Sequence, residues 1–265
     1  MEDLTFLTNP DVRTLLVTTG EDGTVRIWDP HTGHPVGDPL AESAARITAI
    51  AVPGIDGTDC VILGGNGALR CWTASTAALI TISAPEHTCA VAVHTGLDHD
   101  VLLTGDTAGL LHTTDLATQH RLHPPTRIDH GAVLALCPLP GAPATVAAAG
   151  RGGTITLHTL DPAARTENPA PRLHGHTGPV RALCLVDQTD SPPLLASAGN
   201  DSTLRLWNLD TATPHGTPLT GHVGWIWAIT PVPARTAGAS GWPRPALMPP
   251  SDSGTPPPAT RSAGP

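Results

Sequence analysis

The sequence contains no lysine, no tyrosine and a single phenylalanine, and aromatic residues make up only 3% of it. All 14 basic side chains are therefore arginine. A core must be filled by Val, Leu, Ile, Ala and Thr rather than by rings. Arginine without lysine, together with abundant Ala, Gly and Pro, reads as the coding bias of a G+C-rich bacterial genome rather than as selection for function. The formal net charge is −9 with no long run of either sign, so the basic stripe that a nucleic-acid backbone requires is missing. No apolar run approaches the roughly 18 residues of a membrane span, and no signal-peptide pattern opens the chain. The expectation is a cytoplasmic protein with neither a nucleic-acid nor a membrane partner.

Cysteine pairing is also missing. The five cysteines, Cys60, Cys71, Cys89, Cys137 and Cys184, are odd in number and form no C-x-x-C, which argues against a disulfide framework. Cys137 and Cys184 fall in matching segments, LALC and RALC, and are expected to be small core residues on inner strands. Helical periodicity is almost absent. No G-x-S-x-G, P-loop or G-x-G-x-x-G occurs between a strand and a helix, so no nucleophile–base set can be named and no enzyme is expected.

What is present is a repeat. The stretch Leu194–Leu209, LLASAGNDSTLRLWNL, reads as a strand, a tight Gly-Asn-Asp-Ser turn and a second strand ending near Trp207. Gly199 and Asn200 are expected to supply the backbone freedom of the turn. Similar segments end at Trp28, Trp72, Thr114 and His158, at intervals of 44, 42, 44 and 49 residues up to Trp207. Two strands and a Trp in a period in the forties are the mark of propeller blades. Gly175-His176 and Gly221-His222 add a Gly-His pair ahead of an inner strand, and Asp129-His130-Gly131 is a weaker version.

On these residues the chain resembles the WD-repeat (WD40) β-propeller family, over about residues 12–232. The resemblance implies an all-β propeller of four-stranded antiparallel blades, with about five recognisable units and an incomplete sixth starting at Trp225–Thr230. Residues 1–11 have no Gly-His opening, so the first unit is expected to lack its usual start. The propeller region is taken as 1–232 and a Pro/Gly-rich disordered tail as 233–265.

The family's hydrogen-bonded tetrad carries over to His176, Ser197, Asp201 and Trp207 in the fifth unit. A buried indole and imidazole need partners, and an acid in the turn fixes the imidazole tautomer. Partial tetrads are Thr18, Asp22 and Trp28 in the first unit, Trp72 in the second (with Asn66 replacing the acid), and His222 in the sixth. The fifth unit is expected to be the best ordered and the third and fourth the loosest.

The tail has a second reading. In a frame starting at the third base of the Leu247 codon, its codons can spell DATVRLWDPATGNPVGGP, which agrees at 13 of 18 positions with Asp22–Pro39. A frameshifted blade, and with it a truncated propeller, is the expectation this raises.

The chain's 14 histidines invite a metal, but neither His174/His176 nor His31/His34 is completed by Glu or Cys at a ligand spacing. Asp98-His99-Asp100 reads as a solvated turn before a strand. Trp225 and Trp227 lie two apart on one strand and so face the same side, as core packing or as an anchor for a partner. The resemblance implies a non-catalytic interaction scaffold or sensor module for a protein or peptide, without cofactor or metal. The alternative is a non-functional fragment of a larger WD-repeat signalling protein. Its ring would need another chain or missing blades to close, because open edges aggregate.

Overall fold

The computed structural model describes residues 3–8, 14–19, 24–41, 48–55, 58–65, 68–73, 78–82, 85, 87–95, 99–141, 143–160, 170–186 and 191–231. Every regular element among them is a strand. The first sheet holds β1 (Asp3–Thr8), β2 (Thr14–Thr19), β3 (Thr24–Trp28) and β4 (Leu40–Ala41). The second holds β5 (Thr48–Ile55), β6 (Thr58–Gly65), β7 (Ala68–Thr73) and β8 (Ala78–Ile82). The third holds β9 (Thr88–His94), β10 (Val101–Asp106), β11 (Leu110–Asp115) and β12 (Thr126–Arg127). In the fourth are β13 (Val133–Leu139), β14 (Thr145–Gly150), β15 (Ile155–Thr159) and β16 (Arg172–Leu173). In the fifth are β17 (Val180–Val186), β18 (Leu194–Gly199), β19 (Leu204–Asn208) and β20 (Thr213–Pro214). Each is an antiparallel meander, and the first strands β1, β5, β9, β13 and β17 pack side by side in that order. This is a β-propeller architecture.

The first unit does have a start. β1 pairs with β2 in unbroken register from Asp3↔Thr19 to Thr8↔Thr14, although no Gly-His precedes it. A strand needs only extended backbone and a partner, and the loop dipeptide is not part of that requirement.

The core lies between sheets. Leu103 of β10 packs on Val146 and Ala148 of β14, and Ala147 and Leu157 of the fourth sheet meet Leu195 and Trp207 of the fifth. Small residues on the central strands (Val146–Ala149) let the sheets approach closely. The third and fourth units, expected to be the loosest, are fully four-stranded, and every residue of β10 is buried. They have a sheet on each side, and that burial does not depend on the Trp.

The turn glycine has a different task from the one expected. The left-handed residue between β18 and β19 is Ser202, at φ 61°, with Gly109 and Gly153 in the corresponding turns at φ 83° and 72°. Gly199 is needed for space, since a Cβ there would collide with the carbonyl of Pro179.

Two sheet faces carry no covering sheet among the described residues. Leu16, Thr18, Arg26 and Trp28 share one face of the first sheet and are half-buried or exposed, while Leu15, Val17, Val25 and Ile27 on the other face are buried. On the fifth sheet, Cys184, Val186, Leu204 and Leu206 lie on the face away from the fourth sheet and are half-buried. Beyond β20 the chain returns over the fifth sheet, and the Ile226 N–H donates to the Gly199 carbonyl at 3.1 Å. Ile226 is buried, but residues 225–231 join no sheet. The inner strand expected over Trp225–Thr230 is therefore not formed, so Trp225 and Trp227 do not share a strand.

Candidate functional site

The tetrad of the fifth unit assembles from strand register. Leu195 stands opposite Trp207 and Ser197 opposite Arg205, so the Ser197 hydroxyl and the indole share one face. The Trp207 indole N–H donates to Ser197 Oγ at 2.8 Å. Ser197 Oγ also lies 2.8 Å from His176 Nε2, and His176 Nδ1 lies 2.8 Å from Asp201 Oδ2. One proton arrangement satisfies every group: Nδ1–H donates to the carboxylate, the serine O–H donates to Nε2, and the serine oxygen accepts from the indole. The imidazole is then neutral. Ser197 and Trp207 are fully buried.

Asp201 also accepts from the N–H of Thr177 (3.1 Å), the N–H of Thr203 (3.1 Å) and the Thr203 hydroxyl (2.9 Å). Burial pushes its carboxyl up, but these donors and His176 outweigh it and hold the carboxyl below its usual 3.8. Burial lowers His176 below 6.5 against the opposing pull of Asp201. Both effects favour a neutral imidazole beside a charged carboxylate. The geometry is a fixed internal brace, closed to solvent, and it offers no free nucleophile.

In the first unit Trp28 Nε1–H donates to Thr18 Oγ1 at 2.9 Å, and both side chains are only half-buried. Trp72 is buried opposite Val61. His222 is exposed. Asp22, Asn66, Asp98 and residues 233–265 lie outside the described residues. The third unit holds a pair that the sequence reading missed. His112 Nε2 lies 3.0 Å from Asp106 Oδ2 in a buried setting. Asp106 also accepts from the N–H groups of Ala108 and Leu110, both at 2.9 Å. Burial raises its carboxyl, and these bonds outweigh it to leave it lowered. The signal was an Asp ending one strand and a His within the next, legible only once their register is known.

One exposed corner gathers aromatic and cationic groups. Trp225 and Trp227 are 56% and 52% exposed, with ring centroids 5.6 Å apart and planes at 56°. The Arg181 guanidinium sits 4.0 Å from the Trp227 ring centroid and 5.2 Å from that of Trp225. Its Nε–H donates to Asn200 Oδ1 at 2.6 Å. Arg181 is aimed there by a β-bulge, because the β17–β18 register shifts between Val180 and Ala182. The same shift puts Leu134 at the corresponding place in β13 and Cys89 in β9. The pair is therefore not core packing.

The remaining candidates are modest. His99 is exposed, 3.8 Å from Asp115. Among the described residues no group of three or more His, Cys, Asp or Glu could hold a metal ion, and no helix is long and apolar enough to cross a membrane. A crevice of about 10 Å³ beside His123 and His158 has room for about one water. Cys137 is buried, and burial together with nearby Cys184 pushes its thiol up to about 12. Cys184 is only half-buried, short of the core position expected for it.

Residues 3–29 and 167–208 match the WD40 family (WD domain, G-beta repeat). The ribosome biogenesis protein YTM1 of Yarrowia lipolytica (strain CLIB 122 / E 150) is 28% identical over 211 residues, covering 74% of this chain and 39% of that protein. A chain in the crystal structure of the mitotic checkpoint complex superposes with a TM-score of 0.60 at 19% identity, over 81% of this chain and 66% of that one. The chain thus spans about two-fifths of that relative's length. The structural likeness concerns the fold.

Proposed function

We propose that this chain is a non-catalytic WD-repeat scaffold that binds a protein or peptide partner at the bulge corner beside Trp225, Trp227 and Arg181. The observation that carries this is the exposure of two adjoining, tilted indoles next to a guanidinium, since Trp and Arg are enriched among the residues that dominate binding hot spots. The tetrad supports it indirectly. It fixes the turn and loop next to Asn200, so the corner is presented on rigid backbone. The scaffold reading fits a cytoplasmic protein of bacterial origin, on the charge and the arginine-only composition. Its test is selection of peptides from a random display library on the intact chain. Enriched peptides should shift tryptophan fluorescence and lose binding in the Trp225→Ala/Trp227→Ala double variant, with its sheet circular dichroism unchanged. Enrichment that is indifferent to that variant refutes the assignment.

A second reading rests on the uncovered fifth sheet. The Ile226 N–H donates to the Gly199 carbonyl and Ile226 is buried there, so the chain beyond the fifth sheet rests against it. If Leu247–Pro265 is a blade read out of frame, the chain is a fragment of a longer WD-repeat protein. The nucleotide sequence from the Thr230 codon onward decides it: further Trp-Asp repeats in the shifted frame support the fragment, and their absence removes it.

A further inference from the structure

The two faces that no sheet covers among the described residues are the two halves of an interface that the protein already builds internally. Where the fourth sheet meets the fifth, one partner contributes Cys137, Leu139, Ala147, Ala149, Ile155 and Leu157. The other contributes the Trp207 face, with the Trp207–Ser197 hydrogen bond. On the fifth sheet's far side the register repeats the first half: Cys184 opposite Ala196, Ala196 opposite Leu206, and Ala198 opposite Leu204. Cys137 stands opposite Ala147, Ala147 opposite Leu157, and Ala149 opposite Ile155 in the same way. Yet Cys137, Ile155 and Leu157 are 7%, 0% and 7% exposed, whereas Cys184, Leu204 and Leu206 are only half-buried. The first sheet repeats the second half, with Trp28 bonded to Thr18 where Trp207 is bonded to Ser197. There too the indole is half-buried rather than fully covered.

We infer that a second copy of this chain docks head to tail, the Trp28 face of its first sheet packing on the Cys184–Leu206 face of the fifth sheet. Both halves lie on one polypeptide, so a second copy supplies the complement without any other protein. Two different patches are used, so the contact is heterologous and grows past a dimer unless the rotation closes a ring. Residues 225–231 must swing aside, because the arriving β1 takes the place where Ile226 now rests. Their described attachment to the fifth sheet includes the Ile226–Gly199 hydrogen bond, the burial of Ile226 and the Arg181 guanidinium against the Trp225 and Trp227 rings, all of which the swing breaks. Trp225 and Trp227 therefore change environment on assembly.

The test uses the full chain in sedimentation velocity and maleimide labelling across protein concentration, with the sites of labelling read by mass spectrometry. Buried Cys137 serves as the internal control. Cys184 labelling is expected to slow at least about tenfold between roughly 1 and 100 μM as the associated species replaces the monomer. Leu206→Arg blocks the fifth-sheet face and Leu16→Arg the first-sheet face, so each variant alone should stay monomeric. Mixed, they retain one competent face each and should form a heterodimer that grows no further. A wild-type chain that stays monomeric, with Cys184 labelling independent of concentration, overturns the inference. Association that survives both single substitutions also overturns it, by placing the contact elsewhere. Should either variant lose its sheet signal, the wild-type labelling still decides. The chain could also remain monomeric and still bind selected peptides at Trp225 and Trp227, so failure here leaves the scaffold reading standing.

Discussion

Replacing Ser197 by alanine removes one oxygen atom, and the structure makes that a large change. The hydroxyl is fully buried and pairs with both the Trp207 indole N–H and His176 Nε2. Alanine leaves a donor and an acceptor orphaned together. A buried group stripped of its partner costs about 1–3 kcal/mol, so two give about 2–5 kcal/mol after some relaxation. The lost volume adds little. Set against the roughly 5–15 kcal/mol that holds a typical domain together, this is a large fraction. Trp207→Phe removes the donor along with part of the ring, but leaves Ser197 bonded to His176. The two substitutions share one hydrogen bond, so the double variant should cost about 1 kcal/mol less than the sum of the singles. Urea unfolding followed by far-ultraviolet circular dichroism measures the totals. Hydrogen exchange of the Leu204–Asn208 amides shows whether the loss is local to the fifth sheet, as a repeat array allows. A Ser197→Ala chain within about 0.5 kcal/mol of wild type refutes the argument, because surface-like substitutions already produce that much.

Acid should weaken the chain in two stages. His176 is held below 6.5, so from pH 6.5 down to its folded value the unfolded chain binds the extra proton and stability falls as pH falls. Below 3.8 the depressed carboxyls of Asp201 and Asp106 add a second loss. The first stage should vanish in His176→Gln when urea midpoints are measured against pH. Gly105→Ala places a Cβ 2.5 Å from the Cβ and Cγ1 of Val133 and should lower stability by about 3 kcal/mol or more. Gly216→Ala meets nothing within 4 Å and suffers only from φ +76°, so its cost should stay at about 1 kcal/mol when both glycine variants are compared by urea unfolding. Asp106→Ala strips the N–H groups of Ala108 and Leu110 and the His112 ring of their acceptor, which should cost about 2–4 kcal/mol in urea unfolding.

The parts of this architecture that repeat locally were legible in the sequence. A period in the forties with alternating strands located the sheets, and the Gly-His, Ser, Asp and Trp positions located the tetrad before any distance was known. Features that depend on what lies across a gap were not legible. β1 was missed because its neighbour β2 defines it more than its own loop does. Gly199 was credited with a dihedral that belongs to Ser202, since the Pro179 carbonyl that crowds it comes from the loop just before β17. The Asp106–His112 pair and the bulge that aims Arg181 both need the register. The open faces needed more still, because a half-buried Leu206 and a buried Leu157 sit in nearly the same local sequence. Which of them is covered is decided by the next sheet.

That contrast between position and neighbourhood predicts a reversal of sign at one site. Thr104 of β10 occupies the place of Ser197: Leu102 stands opposite Thr114 as Leu195 stands opposite Trp207. The indole is gone from this unit, and the hydroxyl's use goes with it. Thr104 is 1% exposed and its Oγ1 has no hydrogen-bond partner among the described residues. A buried hydroxyl without a partner costs about 1–3 kcal/mol, while valine matches threonine in shape and brings no polar atom. Thr104→Val should therefore raise stability by about 1–2 kcal/mol, where Ser197→Ala lowers it. Side-by-side urea melts of the two variants make the comparison. If Thr104→Val destabilises, the hydroxyl has a partner after all, such as a bound water, and the third unit keeps a brace of its own in place of the tetrad.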